Sequence, residues 1–143
     1  MQFHSDIDSI FCVNSEAPDF FRDHLEKKLE DSLSLNILVE NEGSILGYCL
    51  ARIAEKPPVF IHRKHGYISD LAVRHDQRKQ GIGELLFKEA KAWLLAQGAD
   101  RIELRTVSAN TVSNAFWRKM GFITFAEEKF LSIKTEQGAA ANP

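Results

Sequence analysis

The chain has 143 residues, 44% of them hydrophobic and ten of them Phe, with a formal charge of −2. That length suits one domain with a genuine core. The near-neutral balance excludes a general attraction to nucleic acid or an anionic membrane, although a local basic cluster would still act. Cys12 and Cys49 form no CxxC and have no neighbouring His–Cys ligand pattern. They read as reduced cysteines of an intracellular fold, with a disulfide or metal role as the minor alternative. The N-terminus has no apolar signal region and no window approaches 18 apolar residues, so a cytoplasmic location is the default expectation.

In chain order, "DIDSIFCVN" predicts a weak short helix with Ile7, Ile10 and Phe11. "APDFFRDHLEKKLED" predicts a firmer one: Pro18 suits a first turn, and Phe20, Phe21, Leu25 and Leu29 share a face. "SLNILVE" and "SILGYCLARIAE" are partly β-branched runs joined by Asn41-Glu42-Gly43-Ser44, a hairpin signal. "KPPVFIHRKHG" breaks the pattern, because Pro57-Pro58 cannot sit inside a central strand. "YISDLAV" resumes as strand. From Ile82 to about Gln97, Ile82, Leu85, Leu86, Ala90, Trp93, Leu94 and Ala96 form a helical stripe that Gly98 ends. "RIELRTV" follows as strand, "NTVSNAFWRKMGF" as a helix ended by Gly121, and "ITFAEEKFLSI" as a last strand. The tail "TEQGAAANP" reads as frayed. The alternation predicts one α/β or α+β domain over residues 1–134, with residues 135–143 outside it.

One junction carries chemistry. In "RHDQRKQGIGELLF" a strand hands over to the long helix through two glycines and a basic pair. Gly81 and Gly83 allow close backbone approach, and the helix that follows aims unpaired N–H groups and its positive end at the loop. Arg78 and Lys79 add charge, so a phosphate or pyrophosphate suits the spot, against the plain alternative of a glycine-containing helix start. The loop is neither a P-loop, lacking Gly-Lys-Ser/Thr, nor a dinucleotide GxGxxG, since residue 86 is Leu.

Arg78-x-x-Gly81-x-Gly83, five residues after Val73, resembles the Q/R-x-x-G-x-G/A signature of the GNAT N-acetyltransferase superfamily. "SANTVSNAFWRKMGF" resembles that family's "N..A..LYEKLGF" segment, and the likeness runs from about Gly43 to Phe130. The resemblance implies a mixed, mostly antiparallel sheet with helices on both faces, splayed at a bulge near Leu71–Val73. It implies acetyl-CoA as co-substrate, no metal, and a primary amine as acceptor. Leu71, Ala72 and Val73 would pair with the pantetheine arm, and the Val73 amide would face the thioester carbonyl as an oxyanion donor. Main-chain N–H groups of Arg78, Lys79, Gln80, Gly81, Ile82, Gly83 and Glu84 would hold the pyrophosphate. Asn110 matches a pantetheine-bonding side chain; an ordinary helix N-cap is the other reading, and one side chain could do both.

Trp117 stands where many relatives carry the Tyr that protonates the leaving thiolate. An indole N–H releases no proton near neutral pH. A thiol pKa near 8.5 lets the thiolate leave tolerably well, so a lost acid costs about 10²-fold. Trp117 is expected to wall the acyl pocket or to join the core. An alkylamine must shed a proton before attack, and Asp70, a carboxylate in an apolar strand, is the candidate base or amine anchor, with a structural role as its alternative. Tyr67 is the weaker candidate for a substrate contact or proton relay. Glu55, His62 and His65 lie on or beside the Pro57-Pro58 loop, near where relatives bind their acceptors, and read as solvated.

Only "MQFHS" precedes the first predicted helix, short for the family's opening strand. The expected activity is an N-acetyltransferase working by direct attack, with neither cysteine in a site pattern. A non-catalytic acyl-CoA-binding module is the rival, favoured by Trp117 and disfavoured by Asp70. A nucleic-acid binder is disfavoured by charge. Small amines, aminoglycosides, polyamines, amino acids and protein amines all remain open as acceptors. Oligomeric state is open too, a homodimer being common among members.

Overall fold

The computed structural model describes residues 15–133. The short "MQFHS" segment, left open as an abbreviated opening strand, the predicted short helix, Cys12 and the predicted tail lie outside those residues. Helix α1 (Ala17–Leu29) carries Pro18 in its first turn and Lys27 and Lys28 in its last, as helix ends favour. Strands β1 (Ser34–Asn41) and β2 (Ser44–Glu55) form the predicted hairpin. Glu42 and Gly43 both adopt positive φ, 49° and 78°, the conformation that a two-residue turn demands. Then come β3 (Lys64–Val73), a single 3-10 turn (His75–Gln77), α2 (Ile82–Ala96), β4 (Ile102–Leu104) and α3 (Thr111–Lys119). The sheet runs β1-β2-β3-β4, the first three strands antiparallel and β4 parallel to β3.

Alternation along β2 decides the layers. Gly47, Cys49, Ala51 and Ile53 are buried on one face, where Leu86, Phe87, Ala90 and Leu94 of α2 complete the core. The other face carries α1, whose His24, Leu25 and Lys28 share a groove with Leu50 and Arg52 of β2 and Ser69 of β3. Helices therefore cover both faces, as expected. None of the residues of α1 is fully buried. Phe20 and Leu29, predicted to face inward, are 76% and 70% exposed, leaving Phe21 and Leu25 as its inward pair.

Four further features differ from expectation. Strand β3 begins at Lys64, three residues earlier than "YISDLAV", so Lys64, His65 and Gly66 belong to the sheet. Gly66 is what permits this: a Cβ there would meet Leu94 at 2.8–3.1 Å. Strand β4 is only three residues long, because β3 leaves it after Ile68. Phe87, absent from the predicted stripe, is buried, while Leu85 is 48% exposed. The predicted last strand, "ITFAEEKFLSI", forms none: residues 123–133 have no ladder partner among the described residues. Extended propensity makes a strand only where a partner offers hydrogen bonds. Instead this segment holds on by side chains, with Arg101 over the Phe125 ring at 4.6 Å and Arg105 bonded to Glu128 at 2.6 Å.

Candidate active site

Strand β3 contains a bulge. Ala51 faces Ile68 and Leu50 faces Asp70, so Ser69 is the extra residue. Pairing with β4 ends at Ile68, so Leu71, Ala72 and Val73 run on beside β2 with no strand on their other edge among the described residues. The splay expected near Leu71–Val73 thus starts at Ser69. The bulge also resets the side-chain alternation. Tyr67 and Asp70 are an odd number of positions apart and would point to opposite faces of a regular strand. Here Tyr67 pairs with Arg52 and Asp70 with Leu50, which puts all four on the α1 face.

Backbone polarity at the open edge follows from register. The Arg74 N–H donates to the Leu46 carbonyl at 2.8 Å, which makes Val73 and Gly47 a non-hydrogen-bonded pair. By alternation, Leu71 and Val73 point their N–H and C=O groups away from β2 into the splay. The Val73 carbonyl accepts from Arg78 Nε at 3.3 Å. Its amide has no such partner among the described residues. Gly47 keeps the two strands close, since a Cβ there would stand 2.8 Å from the Ala72 carbonyl oxygen.

The loop beyond is shaped for an anion. Arg74 clamps Asp76 through two bonds of 2.6 and 2.8 Å, holding the 3-10 turn. Lys79 and Gly81 both adopt left-handed φ, 59° and 82°, and a non-Gly residue held there stores strain of a kind that clusters at ligand sites. Gly81 is the N-cap of α2, and no side chain of the described residues caps that helix, so its first N–H groups are left for a ligand. Glu84 in the first turn would compete with an anion, but Lys119 of α3 pairs with it. Gly83 lets α3 approach: a Cβ there would meet the Phe116 ring at 3.2 Å.

Asn110 and Trp117 have different settings at the start of α3 and within it. Asn110 is the N-cap, its Oδ1 accepting from the Ser113 N–H at 3.1 Å, and is 7% exposed. Trp117 is 8% exposed inside an aromatic cluster, with Phe87, Phe116 and Phe122 at centroid distances of 5.6, 4.9 and 5.2 Å. It belongs to the core, and the α3 aromatic that meets the glycine loop is Phe116. The motif register puts Trp117, four residues before Gly121, at the Tyr position, and only packing decides which of the two rings turns inward.

On the α1 face, Asp70 Oδ2 accepts from the Tyr48 hydroxyl at 2.6 Å. Tyr48 had no signal of its own, since only the β2–β3 register brings it beside Ala72. Burial first, then the Asp70 hydrogen bond and charge, push the Tyr48 phenol well above its usual range. It therefore stays a hydrogen-bond donor at neutral pH. Burial, and after it the Asp70 charge, push the Cys49 thiol up to about 12, which leaves it inert. Tyr67 lies under the Arg52 guanidinium at 4.8 Å.

The other loop candidates separate. Glu55 meets Arg63 at 3.5 Å and His62 meets Asp100 at 3.4 Å, all four exposed. His65, read as a solvated loop residue, is instead buried on β3, because Gly66 draws this segment into the sheet. It stands 3.6 Å from Glu103, which also takes Lys56 at 2.6 Å and Arg101 at 2.7 Å. This cluster sits at the start of β3, on the order of 25 Å along the strand from Val73. Burial pushes the Glu103 carboxyl up, but the Lys56 and Arg101 hydrogen bonds and the neighbouring charges outweigh it and hold it below the usual glutamate range. A lowered native value means stability that is full above the unfolded pKa and lost as pH falls through the native one. Glu103→Gln is therefore expected to lower the urea midpoint at neutral pH, with the gap to wild type closing below about pH 4. A gap independent of pH would refute the linkage.

The model of the Acetyltransferase (GNAT) family matches residues 2–122. The chain is 34% identical over 82 residues to the N-terminal acetyltransferase complex ARD1 subunit homolog of Dictyostelium discoideum, covering 57% of this chain and 38% of that one. It thus matches well under half the length of that relative. It is 24% identical over 122 residues to a putative ribosomal protein bS18-alanine N-acetyltransferase of Bacillus subtilis, covering 81% and 74% respectively. Among solved structures, a mutant of the BH1408 protein from Bacillus halodurans aligns with TM-score 0.84 at 24% identity, over 93% of this chain and 86% of that one.

Proposed function

The chain belongs to the GNAT acetyltransferase family, and on that premise we propose that it is an acetyl-CoA-dependent N-acetyltransferase acting by direct attack of an amine. The observation that carries the proposal is the continuity of two backbone features. The open edge of β3, with the unpartnered Val73 amide, leads straight into the uncapped start of α2. An extended arm can add to the one while its pyrophosphate rests on the other. Bound acetyl-CoA supplies the activated acyl group.

Leu71 and Val73 align the pantetheine as an added strand would, and the amides from Arg78 to Glu84 take the pyrophosphate. The Val73 N–H meets the oxyanion as the carbon–nitrogen bond forms. Asp70, steadied by Tyr48, anchors the amine and accepts the proton that attack makes acidic. Tyr67 lines the approach. The carbon–sulfur bond then breaks and the thiolate leaves without a dedicated acid, Trp117 being occupied in the core. Asn110 primarily starts α3. Residues 1–134 are taken as one catalytic domain of a cytoplasmic protein.

The test is acceptor-dependent release of the CoA thiol, followed with a thiol reagent across a panel of amines. Turnover should persist in Cys49→Ala within about twofold, since a thiol held near 12 is no nucleophile at neutral pH. An acetylated Cys49 trapped by mass spectrometry would overturn direct attack. Stabilisation by acetyl-CoA without turnover of any amine would favour the binding-module reading, for which the buried Trp117 in place of a hydroxyl speaks.

A further inference from the structure

The groove between α1 and the sheet opens at Ser69, the bulge residue, next to Asp70. Among the described residues its lining carries three basic side chains, His24, Lys28 and Arg52, and no carboxylate. Lys28 is partly answered by Asp31 at 3.7 Å. Arg52 is half-buried and lacks a carboxylate partner among the described residues. The Tyr67 ring holds its guanidinium from one side at 4.8 Å. A guanidinium fixed by stacking keeps its planar fork of donors free, and that fork matches a carboxylate or phosphate.

Resting on the acetyltransferase reading above, we infer that this groove selects an acceptor carrying an anionic group close to its amine, with Arg52 as the specificity-determining residue. Arg52 lies two positions along β2 from Leu50, which pairs with Asp70. Diagonal neighbours on one sheet face stand about 7–8 Å apart. An amine held at Asp70 therefore brings a carboxylate a few bonds away within reach of Arg52. The ordering of charges is the discriminating feature: one carboxylate at the reaction point, cations beyond it. A polycationic acceptor would meet Arg52 and Lys28 as like charges.

The experiment compares three acceptors of equal chain length that differ at the far end, anionic β-alanine, neutral β-alaninamide and cationic diaminopropane. It uses the full chain with saturating acetyl-CoA. Wild type should prefer β-alanine by about tenfold or more in kcat/KM over either partner. Arg52→Met should erase that preference mainly through KM, Arg52→Glu should turn it toward diaminopropane, and Lys28→Met, on the exposed helix, should reduce it only partly. Thermal stabilisation by acetyl-CoA should be the same in all four proteins, since Arg52 and Lys28 lie outside the cradle. Normal stabilisation with a wild-type preference for the neutral or cationic acceptor, or with none, overturns the inference and leaves the acetyltransferase reading standing. Absence of stabilisation in wild type removes both.

Discussion

Gly81→Glu is expected to abolish the thermal stabilisation that acetyl-CoA confers on the wild-type protein. At a ligand concentration 100 times its dissociation constant, wild type should gain about 2.7 kcal/mol, seen as a shift of several degrees. Two effects remove this in the variant. The first is conformational: Gly81 holds φ at 82°, and an L-residue there costs about 1–2 kcal/mol. The second is electrostatic. Apart from its own chain neighbours, no described residue comes within 4 Å of the position a Cβ would take, so the new side chain has room, and its carboxylate can occupy the free amides of α2 itself. A like charge about 4 Å from the pyrophosphate is worth about 4 kcal/mol of repulsion at an effective dielectric of 20. Gly81→Asn separates the two, since Asn tolerates left-handed backbone and brings no charge. It should keep most of the shift. A Gly81→Glu protein stabilised as strongly as wild type would show that the pyrophosphate rests elsewhere.

Asp70→Asn should lower kcat/KM for any accepted amine by about 10²–10⁴-fold, the usual contribution of a positioned base. The amide carbonyl can still accept from the Tyr48 hydroxyl, which now sits 2.6 Å from Oδ2, so the strand should stay in place. Acetyl-CoA should stabilise the variant as it does wild type, which would locate the loss in the chemistry. Tyr48→Phe leaves the charge and removes its orientation, and a smaller loss is expected. Wild-type turnover by Asp70→Asn would reduce Asp70 to a structural hydrogen-bond acceptor and move the proton acceptor to water.

Local patterns carried much of this. The α2 stripe, the Asn41–Ser44 hairpin and the glycine stops are written in short-range spacing. Helix period and turn chemistry are properties of neighbours in sequence. The glycine loop was legible for the same reason, since left-handed backbone at Gly81 and an uncapped helix start need only contiguous residues. The early start of β3 was not, because Gly66 earns its place only against Leu94. The missing last strand was not either, since alternation in "ITFAEEKFLSI" says nothing about whether a ladder partner is present.

The sequence by itself determined the secondary elements around the loop, the family likeness, and the residue types able to bind a pyrophosphate and accept a proton. The tertiary structure decided which of those residues meet. One extra residue at Ser69 turned Tyr67 and Asp70 to the same face, register put Tyr48 on Asp70, and packing sent Trp117 inward while Phe116 met the loop. Arg52 became notable only once the fold had left it stacked on Tyr67 in a groove that no described carboxylate lines. Each of these depends on pairing between strands and helices far apart in the chain, and strand register is set by the whole sheet rather than by any segment of it.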